Sequence, residues 1–273
     1  MLYGVQQFLY HFLEGIDKSM HLTICKRVLP GAEVGVWQLA KEEPAICPEE
    51  ILTKDELACW FYLTTQSNLL GKGHVSPKEI LQAFGYSGTS ASHPDIVNWL
   101  KATLCSTMER AKKSTAGAIT FDPKELNECT ASKDFHYTVD YSPSRDARFG
   151  FVSINENEAD RLLHCCHGTG FKLPDMLNTY LAILASLHSK ANGVGAWRLT
   201  PILTALCGMS EKTFYKYRQK LADAQLIYFR AATDHPTYYA REDKEELWKE
   251  IAASDKRQNA PQGVKTYKHP KRY

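Results

Sequence analysis

The sequence predicts a mainly helical chain with small β-hairpins, of the α+β class, and three observations carry that expectation. Apolar residues recur at helical spacing in two long stretches, through Leu57, Trp60 and Phe61 and again through Leu177, Tyr180, Leu181, Leu184 and Leu187. Helix-start signals stand ahead of several such stretches: Thr53 with Glu56, Ser76-Pro77 with Glu79, and Thr200-Pro201. Strand-like alternation is short and comes in pairs, as at 226–230 and 237–240. At 273 residues the chain is long enough for two domains.

Residues 199–240 are the most clearly organised stretch. Thr200 caps a short helix whose apolar side is Ile202, Leu203, Ala205 and Leu206, and Gly208 supplies a φ > 0 turn. Ser210 caps a second helix, where Phe214, Tyr217, Leu221 and Ala224 recur at core spacing. Lys212, Tyr215, Lys216 and Gln219 point the other way, a basic and hydrogen-bonding face of the kind a DNA major groove accepts. Ser210 stands at the head of that contact set. Strands 226–230 and 237–240 then flank 231–236. The order is that of a winged helix-turn-helix, a nucleic-acid-binding module.

Taken from the start, Val5, Phe8, Leu9, Phe12, Leu13 and Ile16 form a helical stripe, which either packs on its own domain or pairs two chains as a dimer helix. Strands at 21–29 and 34–39, joined near Pro30-Gly31, complete an N-terminal segment, 1–50, that ends in an acidic linker. A first unit, 51–154, follows. Within it, residues 75–87 resemble 199–210: hydroxyl cap, proline, apolar helix, glycine turn and serine, each preceded by a long apolar helix. That similarity points to a divergent repeat, hence tandem winged helix-turn-helix domains. The first unit departs from the pattern in its turn, since 85–93 is longer than a helix-turn-helix expects. Its next helix, 94–113, buries Ile96, Leu100 and Leu104 and ends in Arg110, Lys112 and Lys113. Those cations suit a helix C-terminus and equally suit phosphates. A strand at 118–121, a short helix at 123–129 and strands at 134–141 and 148–154 come next. The last two read as a hairpin with Arg145 at its tip and Arg148 beside it, either a solvated turn or a wing reaching DNA.

A capped linker helix, 155–172 with its turn, contains His164-Cys165-Cys166-His167. Four consecutive helical residues point in four directions and cannot close a tetrahedron, so no metal is expected. The second unit, 173–253, opens with a lead helix to residue 190, a loose turn at 192–195 and a strand at 197–199, and closes with an acid-rich helix after residue 240. The tail, 254–273, reads as disordered when free. Its Lys265, Lys268, Lys271 and Arg272, interleaved with Tyr267 and Tyr273, either clamp phosphates and stack on bases or merely solubilise the chain.

Formal net charge is only +2, so nucleic-acid affinity must come from local patches rather than a global field. Eight scattered cysteines, several inside apolar patterns, read as buried free thiols rather than a disulfide framework. The N-terminus lacks a basic n-region and a small-residue cleavage site, and no apolar run approaches the ~18 residues a membrane span needs. The expected compartment is a reducing cytoplasm. No phosphate-cradling glycine loop, no GxSxG elbow and no histidine-hydrophobe-histidine nickase motif occurs, and the tyrosines lack Arg and His partners for phosphate transfer. Neither catalysis nor a cofactor is expected.

LTALCGMSEKTFYKYRQKLADAQLI, within the second unit, resembles the generic winged helix of bacterial regulators. The wider order, a helical unit ending in FHYTVDYSPSRDARFGFVSI, a linker helix, a lead helix and a second winged unit, resembles the tandem winged-helix replication initiators of plasmids and phages. That resemblance covers roughly 52–240 and implies binding to repeated origin sequences. It carries the recognition role to Lys212, Tyr215, Lys216 and Gln219, with Arg230 and His235 near the wing. Double-stranded DNA is the expected partner, with host replication proteins and a second copy of the chain as further ones. A transcriptional repressor and a protein-interaction adaptor are the competing readings.

Overall fold

The computed structural model describes residues 22–25, 29–30, 49, 51–68, 70–113, 118–140, 151–190, 193–198, 200–230 and 237–241. The N-terminal apolar stripe, strand 34–39, the acid-rich helix after 240 and the basic tail lie outside them. Among them the chain is mainly helical with three small antiparallel sheets, as an α+β sequence requires.

Three helices begin with reciprocal capping. In α1 (Lys54–Gln66), the Glu56 amide donates to Thr53 Oγ1 at 3.2 Å and the Thr53 amide to Glu56 Oε2 at 2.8 Å. The same exchange starts α2 (Pro77–Ala83) between Ser76 and Glu79, and α5 (Glu156–Cys166) between Asn155 and Glu158. Each pairing satisfies two backbone donors that a helix start otherwise leaves open.

The first unit runs α1, β2 (Lys72–Val75), α2, a 3-10 turn at Ser90–Ser92, α3 (Pro94–Lys113), β3 (Ile119–Phe121), α4 (Pro123–Glu128) and β4 (Phe135–Val139). Its sheet order is β2-β4-β3, so the last strand lies in the middle. The second unit runs α6 (Leu173–Ser186), β6 (His188–Lys190), β7 (Gly193–Arg198), α7 (Thr200–Cys207), α8 (Glu211–Asp223), β8 (Tyr228–Arg230) and β9 (Thr237–Ala240), with sheet order β6-β7-β9-β8. Leaving aside the added β6 and the inserted α4, both units share one order: helix, strand, helix, helix, strand, and a final strand between the other two.

The lead helices α1 and α6 pack on each other at the centre. Each is buried almost all round, Glu56–Thr64 without interruption in α1 and nearly every residue of α6, which is the pattern of a helix with no solvent face. One continuous apolar cluster therefore runs through both units.

Two expectations change. Strand β5 (Phe151–Ile154) pairs with β1 (Leu22–Cys25), not with β4, in the register Leu22↔Ile154 to Cys25↔Phe151. Strand β4 is already flanked on both edges by β2 and β3 and has none to offer. The expected hairpin of 134–154, and the wing carrying Arg145 and Arg148, is thus replaced by the β3–β4 connection, and both arginines lie outside the described residues. The expected partner of β1, strand 34–39, lies outside the described residues. Helix α6 stops at Ser186, and 188–198 forms a β6–β7 hairpin in place of helix end, loose turn and late strand. The long turn 85–93 is shaped by the 3-10 turn, with Ser87 Oγ accepting from the Ser90 amide.

Candidate nucleic-acid interface

Helix α8 divides cleanly into two faces. Phe214, Tyr217 and Leu221 are buried, and Lys212, Tyr215, Lys216 and Gln219 are all exposed. Ser210 caps the helix, accepting from the Thr213 amide at 3.2 Å, and Gly208 adopts φ 61° in the turn before it. The preceding helix, α7, buries Leu203, Leu206 and Cys207, while Ile202 and Ala205 of the expected apolar side face solvent. Its C-terminal carbonyl on Cys207 accepts from Asn178 Nδ2 of α6 at 3.0 Å, which fixes the turn to the lead helix.

The exposed face is partly pre-set. Tyr215 donates its hydroxyl to Glu211 one turn earlier, and Gln219 donates to Asp223 Oδ1 at 2.8 Å. Among the described residues none of Lys212, Lys216 and Lys220 is ion-paired. Arg218, absent from the sequence expectation, ties this helix to the hairpin. Its guanidinium carbon lies 4.7 Å from the Tyr215 ring centre and 4.0 Å from that of Phe229, and Nη1 donates to the Tyr239 hydroxyl at 3.3 Å. A stacked cation of this kind holds a tyrosine and a strand in fixed relation. Strands β8 and β9 pair in the register Tyr228↔Ala240 to Arg230↔Tyr238, and Arg230 is exposed at the end of β8. His235, in the connection between them, lies outside the described residues, as do Lys265, Lys268, Lys271 and Arg272.

The equivalent helix of the first unit has a different surface. Val97, Leu100 and Leu104 of α3 are buried at the same spacing as Phe214, Tyr217 and Leu221 of α8. At that register Asp95, Asn98, Trp99 and Ala102 stand where Lys212, Tyr215, Lys216 and Gln219 stand in α8, and all four are exposed. Most cations of α3 are engaged internally. Lys101 donates to the carbonyls of Asn127 and Cys129 at 3.0 and 2.6 Å, and Lys113 meets Glu49 at 3.3 Å. Arg110 pairs with buried Glu56 at 3.1 Å and donates to the Ile51 carbonyl at 3.0 Å. Lys112 is exposed. Of the three expected phosphate cations in this helix, Arg110 thus has a structural occupation.

The seam between the units is polar and closely made. Lys54 of α1 meets Asp175 of α6 at 2.6 Å. Lys172 Nζ donates to the Gly85 carbonyl at 3.0 Å and lies 3.4 Å over the Tyr86 ring, and burial holds its pKa below the ordinary lysine value. The Lys172 amide donates to the Tyr217 hydroxyl at 3.2 Å, which brings α8 into the same cluster. On the far side, Arg161 of α5 donates to the Gln225 carbonyl at 3.0 Å just past the end of α8, and Arg241, after β9, grips Glu158 of α5 and donates to the Ser153 carbonyl at 2.8 Å. Burial acts to raise the Glu158 carboxyl. The Arg241 hydrogen bonds, the Asn155 amide and the Arg241 charge outweigh it and leave the pKa below the ordinary carboxylate value.

The chemistry of the thiols and histidines is quiet. Cys59, Cys129, Cys165, Cys166 and Cys207 are buried and free, and Cys105 is half-buried and free. Burial pushes Cys166 and Cys207 up to about 12, so both remain thiols near neutrality. His164 and His167 line a cleft of about 410 Å³ with Tyr62, Gln66, Glu79 and Gln82, and His164 Nδ1 lies 2.9 Å from the Asp160 carbonyl. Among the described residues no group of three or more His, Cys, Asp or Glu side chains is placed to hold a metal ion, and no helix is long and apolar enough to cross a membrane. Comparison with protein-family descriptions, curated proteins and solved structures finds no match.

Proposed function

We propose that this chain is a sequence-specific duplex DNA-binding protein built from tandem winged helix-turn-helix units, acting in the cytoplasm by binding rather than by catalysis. One observation carries the reading: the exposed Lys212, Tyr215, Lys216 and Gln219 on α8, backed by a buried face and standing beside the β8–β9 hairpin. A helix so mounted presents donors and acceptors to base edges in the major groove, while the hairpin and nearby lysines meet phosphates. The shared strand order of the two units supports the tandem part. The α8 unit is the reader, since α3 carries no unengaged cation at the matching positions.

The role at a replication origin follows from the resemblance to tandem winged-helix initiators. A repressor uses the same contacts, and the location of the sites separates the two: neighbouring repeats at an origin for initiation, overlap with a promoter for repression. The test is enrichment of bound sequences from random duplex DNA, followed by titration of the enriched duplex with Lys216→Ala. The variant keeps its fold and binds more weakly, and removing a cation from the groove face makes its log K against log salt slope shallower, by up to ~0.9. No enrichment at low salt, or equal binding and slope for the variant, refutes the reading.

A further inference from the structure

A chain of ring and cation contacts runs from the first unit, across the seam, to the second. Trp99 of α3 lies 6.4 Å, centre to centre, from Tyr86 in the turn after α2. Lys172 Nζ covers Tyr86 at 3.4 Å. Its chain neighbour Phe171 lies within reach of two lysines of α8, Lys216 at 4.8 Å and Lys220 at 5.7 Å, and stacks edge-on against Tyr217 at 5.2 Å. Trp99 and Lys216 are exposed, and Tyr86, Phe171, Lys172 and Lys220 are half-buried, so the chain of contacts follows the surface. Core packing explains Tyr217 but not an exposed tryptophan next to a half-exposed tyrosine on a helix without a basic face.

We propose that this strip, Trp99–Tyr86–Lys172–Phe171–Lys216–Lys220, binds single-stranded nucleic acid. Unpaired bases offer free π-faces that stack on aromatic side chains whatever their identity, and flanking lysines follow the phosphates. A duplex keeps its bases stacked on one another and cannot use the rings. The site also gives α3 a use that fits the absence of cations at its positions matching the outer face of α8: Trp99 supplies stacking, and the positive charge comes from the second unit. The strip rests on the seam contacts and not on the duplex reading, although Lys216 belongs to both surfaces.

The test is fluorescence anisotropy of the full-length chain with labelled oligo(dT) and oligo(rU) of about 20 nucleotides, longer than the ~16 that one compact module covers. The chain binds at least one of them at about 50 mM salt, and the tighter one identifies DNA or RNA as the source. Trp99→Ala weakens that binding about tenfold with unchanged thermal unfolding and unchanged binding to the enriched duplex, and Trp99→Phe, which keeps a ring, restores most of it. Lys212→Ala with Tyr215→Phe does the reverse, lowering duplex affinity and sparing the single strand. Absence of single-strand binding overturns the proposal, as does equal binding by Trp99→Ala. Capture of a protein through Trp99 with no oligonucleotide binding overturns it and assigns the face to that protein. Loss of duplex binding alone refutes the duplex reading and leaves the strip standing.

Discussion

Arg241 and Glu158 show how a single pair ties the hairpin after α8 to α5. Glu158 is only 6% exposed, and its carboxylate serves the α5 cap and the Arg241 guanidinium together. Removing one partner leaves the other buried and uncompensated, a loss of roughly 3 kcal/mol or more. The pH dependence follows from the lowered carboxyl. A group whose folded pKa lies below its unfolded value, about 4.3 for glutamate, stabilises the fold above that unfolded value. The contribution is lost as pH falls through the folded value. Glu158→Gln is therefore less stable than the unaltered chain at neutral pH, and the gap narrows below about pH 4. Thermal unfolding measured across that range checks it; a gap that widens in acid contradicts the pairing.

Among the elements, the turn after α2 is where the first unit is fitted to the second. Gly85 adopts φ +84°, and a Cβ there would lie 2.0 Å from the Phe171 carbonyl oxygen, a backbone atom that cannot step aside. Gly85→Ala is expected to cost at least about 2 kcal/mol, from left-handed strain and the clash together. Gly88→Ala, three residues on in open space, should stay within about 0.5 kcal/mol. Urea midpoints of the two variants decide, and equal midpoints would mean that the turn does not hold the seam. Helices of this kind were readable from the sequence because caps and periodicity are local: Thr53, Ser76, Asn155 and Ser210 each begin the helix they announce. The inner and outer faces of α8 were readable for the same reason. Strand partners were not. Phe135, Tyr137 and Val139 alternate as a strand should, but alternation does not say whether the neighbour is the next strand or one far back in the chain. The β6–β7 hairpin escaped because Gly193 and Gly195 give a strand no side-chain pattern to read. Arg218, Phe171 and Trp99 escaped because their importance lies in contacts across elements, and spacing along one helix does not report those.

At the scale of the molecule, one core threads both units, and their lead helices pack on each other within it. With Lys54–Asp175, Lys172–Gly85 and Arg241–Glu158 around that core, the two units are joined closely rather than tethered. On the proposed reading the two units do different work: α8 reads a duplex, and α3 contributes an aromatic surface beside it. The proposed duplex binding depends on α8. The most direct measurement is titration of the enriched duplex with a variant in which Lys212 and Lys216 are Ala and Tyr215 is Phe, its fold checked by circular dichroism. Specific binding is expected to fall to the level of unrelated duplex, typically a thousandfold or more. Unchanged affinity for the enriched sequence would contradict the assignment of α8 as the reading helix.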